Sequence, residues 1–174
     1  MTEDREDALA RALVEEACRK SAMLWLRPAA DDRAVAAWHV WHDGSAYVVS
    51  GGREQSIPAL PDGARVVVTV RSKDKGSRLV SWAAVATRVL PDSEQWQAAV
   101  PELHAKRLNA PDGEAQPKRW ARESVVTCLT PTGELLESPG RMPTRSHAAA
   151  PPGSPATTRG KLPFVLGRRA RRRR

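Results

Sequence analysis

A chain of 174 residues, 41% hydrophobic and 28% charged, has the size and balance of one folded domain with tails; two full domains are excluded, and so is a membrane-spanning helix, since no apolar run approaches ~20 residues. The net charge of +8 points to a polyanion partner only until it is mapped: of the 28 Lys or Arg, ten lie in residues 141–174, where there is no Asp or Glu, so residues 1–140 hold 18 against 20 acidic residues and a net −2. A uniformly basic body is thus excluded, and from Cys18 and Cys128, far apart and without a CxxC partner, neither a disulfide framework nor a zinc knuckle follows; both read as buried thiols.

Residues 3–20 read as a helix, with Leu9, Ala12, Leu13 and Ala17 forming a narrow apolar stripe and acidic residues in the first turn, where the helix dipole favours them. This acidic start has neither the basic head nor the apolar run of a secretion signal, so a cytoplasmic protein is expected. MLWLRP, residues 23–28, is a short strand ended by proline. Residues 34–41 are almost all apolar or aromatic; Asp43-Gly44 then supplies a two-residue turn and AYVVS the return strand of a β-hairpin. The Trp-His pairs at 38–39 and 41–42 invite a metal site, but strand alternation puts Trp38, Val40 and His42 on one face and His39 with Trp41 on the other. The histidines diverge, and no metal ligand set follows.

Residues 51–64 form a loop, residues 65–71 (RVVVTVR) a strand, 72–77 a polar turn, and 78–90 a longer strand, apolar on both faces, that Pro91 stops. Asp92 is placed to cap a helix over about 93–108, with Trp96, Ala99, Val100 and Leu103 on one face. After a loop over 109–118, residues 122–130 (RESVVTCLT) form the last strand, followed by a Pro-Thr-Gly turn. The fold class is mainly β with peripheral helices: a six-stranded antiparallel barrel. The organisation is an N-terminal helix (1–21), the barrel domain (22–137) and a Pro/Ala/Arg-rich basic tail (138–174) with too little apolar surface to offset its ordering entropy, hence expected to be disordered. Its closing arginines, 168–174, suit weak, salt-sensitive, nonspecific contact with nucleic acid.

The stretches AAWHVWHDG with AYVVSGG, ARVVVTVRSKDKGSRLVSWAAVATRVLP and QWQAAVPELHAKRLNAPDG resemble the pyridoxamine 5'-phosphate oxidase-like family of FMN-binding split barrels over about residues 20–132, and VRSKDKGSRLVSWAAVATRV, RLNAPD and RWARES look like an actinobacterial branch of it. The resemblance implies a homodimeric flavin oxidoreductase, with FMN in a groove between subunits. Carried over, Trp38, His39 and Val40 run along the isoalloxazine edge and offer backbone groups. Ser50, Gly51, Gly52 and Arg53 meet the phosphate, a chemistry that glycine backbone N–H groups, a hydroxyl and a guanidinium suit. Arg71, Ser72 and Lys73 supply a second cationic cluster that reaches the same phosphate or the partner subunit's.

Many members carry an Arg-Lys pair where this chain has Arg53-Glu54-Gln55, with Pro58 soon after. One basic group is missing, which leaves open a deazaflavin coenzyme in place of FMN, a non-catalytic barrel that has lost the cofactor, and Arg53 and Arg71 as plain solvated charges. Of the six tryptophans, Trp96 belongs to the helix stripe and the core, while Trp38, Trp41, Trp82 and Trp120 are candidates to line a flat ligand, Trp120 equally a dimer rim. His104 falls on the exposed side of its helix. No Ser-His-Asp or Cys-His set occurs, so no catalytic residue is assigned and any chemistry is the cofactor's.

Overall fold

The computed structural model describes residues 2–29 and 33–144, so nearly all of the expected tail lies outside the described residues. Its elements are α1 (Thr2–Lys20), β1 (Met23–Pro28), β2 (Val35–Trp38), β3 (Val40–His42), β4 (Ser45–Ser50), β5 (Arg65–Arg71), β6 (Arg78–Val89), α2 (Glu94–Lys106), α3 (Gln116–Glu123) and β7 (Val125–Glu137). The strands form one antiparallel sheet in the order β2-β1-β5-β6-β7-β4-β3. Its two outermost strands, β2 and β3, are separated in the chain by His39 alone, so the sheet has to curl round until its margins meet.

Strand alternation sends one set of side chains inside this curl. Leu24 and Leu26, Val66, Val68 and Val70, Val80, Trp82, Ala84 and Ala86, Ala46 and Val48, and Leu129 make a first core, closed at one end by Val14, Ala17 and Cys18 of α1. Each fully buried Val or Leu contributes about 1.5–3 kcal/mol. The opposite set makes a second core outside the curl: Tyr47 and Val49 of β4, Val126 and Cys128 of β7, and Val40 pack under Trp96, Ala99, Val100 and Leu103 of α2 and Trp120 of α3. A strand covered on both faces has no use for polar alternation, hence the unbroken AYVV of β4. The turn before it forms as expected, with Asp43 at φ 42° and Gly44 at φ 72°.

Several expectations are corrected. The strand expected over 34–41 is two strands, giving seven rather than six, because its first half pairs with β1 and its second with β4. The chain must turn between those partners, and it does so at His39. Asp92 does not cap α2: it sits at φ 65°, and Ser93 Oγ accepts the Trp96 N–H at 3.1 Å instead. Part of the loop expected over 109–118 opens α3, so the last strand starts at Val125 rather than 122. Nor does that strand stop at Pro-Thr-Gly. It runs to Glu137, with Pro131 opposite Ala84 and Leu135 opposite Trp82, and the extra residues form a bulge fastened by Thr132 Oγ1 donating to the Ala83 carbonyl at 3.2 Å.

Candidate functional site

Both long helices end at the same place. Arg19 and Lys20 occupy the last turn of α1, Lys106 that of α2 with Arg107 just beyond it, and basic residues there answer the negative end of the helix dipole. Between these ends, Trp38, His39, Met23 and Lys73 complete a groove of about 560 Å³ whose lining, among the described residues, includes five Lys or Arg and no carboxylate. Three of the cations are paired from outside the lining: Arg19 with Glu15 at 2.8 Å, Lys20 with Glu16, and Arg107 with Glu54 at 2.8 Å. Lys73 and Lys106 have no carboxylate partner among the described residues and are left to meet an anion.

His39 lines this groove with a buried ring whose Nε2 donates to the Cys18 carbonyl at 3.0 Å, tying the β2–β3 corner to α1. Burial pushes its pKa down to about 4, with the Cys18 carbonyl opposing and Lys106 reinforcing, so the ring is neutral at pH 7. His42 goes elsewhere, its Nδ1 2.6 Å from Glu102 of α2, and His104 Nε2 meets the Gly113 carbonyl at 2.9 Å. Among the described residues, no three His, Cys, Asp or Glu side chains are grouped to hold a metal, and no helix is long and apolar enough to cross a membrane.

Of the residues singled out in the sequence, Trp38, His39 and Lys73 share the groove. The backbone of Trp38 is already engaged: its N–H donates to Gln55 Oε1 at 2.8 Å and its carbonyl accepts from Gln55 Nε2 at 3.0 Å. Val40 is core and pairs with Tyr47. Ser50, Gly51, Gly52 and Arg53 stand apart, at the end of α3. A Cβ on Gly52 (φ 59°) would come within 3.0 Å of the Glu123 carbonyl, and Ser124 Oγ donates to the Gly51 carbonyl at 3.3 Å. The glycines thus admit the end of a helix. Ser72 Oγ accepts from the Asp74 and Lys75 N–H groups within its turn, and the Arg71 guanidinium lies 4.5 Å from the Trp25 ring centre, away from the groove.

Glu54, which in the sequence marks a missing base, is the hub of a buried network. Its side chain is 0% exposed; Oε2 accepts from Arg107 at 2.8 Å, and Oε1 from Arg119 and from Gln116 Nε2, each at 2.7 Å. Arg119 also pairs with Asp112. Burial raises the carboxyl pKa, but the Trp120 indole together with Arg119 and Arg107 outweighs it and holds the group below its ordinary value. One guanidinium therefore links two places: Arg107 is fixed by Glu54 and lies 5.9 Å from the Trp38 ring centre. Of the remaining tryptophans, Trp120 is 0% exposed in the second core rather than at a rim, and Trp41 and Trp82 pack edge to face at 6.2 Å in the first core, flooring a smaller cleft of about 320 Å³ beside α1.

A curled antiparallel sheet with helices packed at its end and side is the architecture of a split barrel. No family model matches the chain, and no curated protein matches it. Among solved structures, the heme storage protein HutZ of Vibrio cholerae is similar, with a TM-score of 0.51 and 18% identity over 71% of this chain and 90% of that one. The conserved hypothetical protein Rv2991 of Mycobacterium tuberculosis is also similar, with a TM-score of 0.49 and 16% identity over 72% and 79%. The likeness to HutZ establishes the split-barrel fold for this chain.

Proposed function

We propose that this protein is a ligand-binding split barrel that takes a planar, anionic cofactor in the groove beside Trp38, FMN first among candidates, and that it works as a homodimer. The observation that carries this reading is the groove itself: an indole, two lysines without a carboxylate partner, and no acid in the lining. Its volume of about 560 Å³ suits a cofactor site, where pockets run roughly 300–1,000 Å³. The broad face of Trp38 covers an aromatic ring. Lys73 and Lys106 neutralise a phosphate, and Arg107, braced by Glu54, supplies a fixed guanidinium beside the ring. Neutral His39 closes the groove floor without adding charge. Bound FMN would supply hydride transfer, making the protein a flavin oxidoreductase. Leu108, 80% exposed, and Met23, 41% exposed, border the groove, and a second copy would cover them.

One observation favours a second reading, a non-catalytic barrel without FMN. The hairpin end expected to cradle the phosphate is filled from within, by Gln55 on the Trp38 backbone and by α3 against Gly52. A purified sample titrated separately with FMN, the deazaflavin coenzyme and heme, the group that HutZ stores, decides between them. Quenching of tryptophan emission by FMN, weakened at least tenfold in Lys73→Ala/Lys106→Ala, is the expected result. Tighter uptake of the deazaflavin or of heme would transfer the groove to that ligand, and no response to any of the three would leave the non-catalytic barrel.

A further inference from the structure

The sheet face turned away from the first core carries a second groove, of about 400 Å³, across β1, β5, β6 and the end of β7. Alternation places Trp25 and Arg27 of β1 and Val67, Thr69 and Arg71 of β5 on this outer side, and the register sets Trp25 opposite Thr69 and Thr69 opposite Ser81. The Arg71 guanidinium stacks over the Trp25 ring at 4.5 Å. Among the described residues, Glu137 is the only carboxylate in the lining, and it is taken by Arg78 at 3.1 Å, so Arg27 and Arg71 leave the described lining positively charged. Arg78 also donates to the Pro143 carbonyl at 3.0 Å, so the described chain ends at this rim. The sequence that continues from there, residues 145–174, contains nine Lys or Arg and no Asp or Glu.

We propose that this outer face is a docking surface for a single-stranded nucleic acid, with the stacked Trp25–Arg71 pair receiving a base and Arg27 receiving a phosphate. A cationic groove with an aromatic platform is the arrangement that holds single strands, because stacking requires a base free of its duplex. The lining is polar and concave, with Thr69 and Ser81 between the charges, and the half-buried Trp25 does not project as a membrane anchor would. Because residues 1–140 are net −2, attraction to a polyanion rests on local cationic grooves such as this one and not on the charge of the barrel as a whole. The proposal does not depend on what fills the Trp38 groove.

The test is fluorescence anisotropy of a labelled oligothymidylate of about 12 nucleotides with the full chain. Binding that falls steeply with added salt is expected, because each neutralised phosphate releases counterions. Arg27→Ala/Arg71→Ala should weaken it at least tenfold, and Trp25→Ala at least fivefold while Trp25→Phe, which keeps a ring, retains most of it. Native-like binding by Arg27→Ala/Arg71→Ala would show that the groove takes no part and would overturn the proposal. So would absence of binding at low salt, or capture by phosphatidylserine vesicles or polyglutamate as tight as by the oligonucleotide.

Discussion

At the scale of single residues, His39 and Glu54 make stability depend on pH in separate windows. His39 has a folded pKa of about 4 against 6.5 when unfolded, so the unfolded chain takes the proton more readily. Its contribution is complete above pH 6.5, declines as pH falls from 6.5 towards 4, and is constant below that. The loss is on the order of 3 kcal/mol, from roughly 1.4 kcal/mol per pKa unit. Urea midpoints between pH 7 and pH 4 should fall accordingly, and His39→Gln, which can still donate to the Cys18 carbonyl, should flatten that part of the profile. Glu54 has its folded pKa below the ordinary 4.5, so its contribution is present above 4.5 and is lost as pH drops through the lower folded value. Glu54→Ala strands Arg119, whose side chain is 6% exposed, and should cost about 3–5 kcal/mol by denaturant titration; Glu54→Gln keeps an acceptor and should cost less. In the sequence Glu54 stood out only as a departure from a basic pair, because its partners, Arg107, Gln116 and Arg119, are brought to it by the fold.

At the scale of elements, strands were legible and α3 was not, for one physical reason. A strand shows itself through apolar alternation over a few neighbouring residues, as in RVVVTVR, whose buried Val66, Val68 and Val70 point into the first core. The buried face of α3 is Gln116, Arg119 and Trp120, helical in spacing but polar in two of three positions, so a search for apolar periodicity passes over it. Those polar groups can be buried only because Glu54 and Asp112 meet them. The close fit of α3 against the β4–β5 loop separates two glycines. Gly44 and Gly52 both have positive φ, but a Cβ meets nothing within 4 Å at Gly44 and meets the Glu123 carbonyl at 3.0 Å at Gly52. Gly44→Ala should therefore cost only the left-handed backbone penalty, about 1–2 kcal/mol, and Gly52→Ala measurably more in the same thermal or denaturant assay. Equal losses would mean that α3 retreats freely from the loop.

At the scale of the molecule, the groove joins the ends of α1 and α2 to β1, the β2–β3 corner and the β5–β6 turn. The family resemblance points to Trp38, His39 and Lys73, whereas Arg19, Lys20, Lys106 and Arg107 carry no signal in the sequence beyond helix-end charge, and only the fold sets them side by side. The same assembly makes the two cores interdependent, because β4 and β7 each bury one face in the first and the other in the second. Each core holds one buried cysteine, Cys18 in the first and Cys128 in the second, and these serve as native reporters. Leu103→Ala removes a fully buried side chain from the second core alone and should destabilise the protein by about 2–5 kcal/mol. If the cores open together, both cysteines react with a disulfide reagent through global unfolding, and Leu103→Ala accelerates the two equally, as peptide-resolved mass spectrometry would show. Independent cores would confine the acceleration to Cys128. Faster reaction at Cys18 in the unmodified protein would mean that α1 lifts on its own, breaking the bond between His39 and the Cys18 carbonyl. The shared strands favour a single cooperative transition, since losing packing on one face of β4 releases the ladder that holds the other.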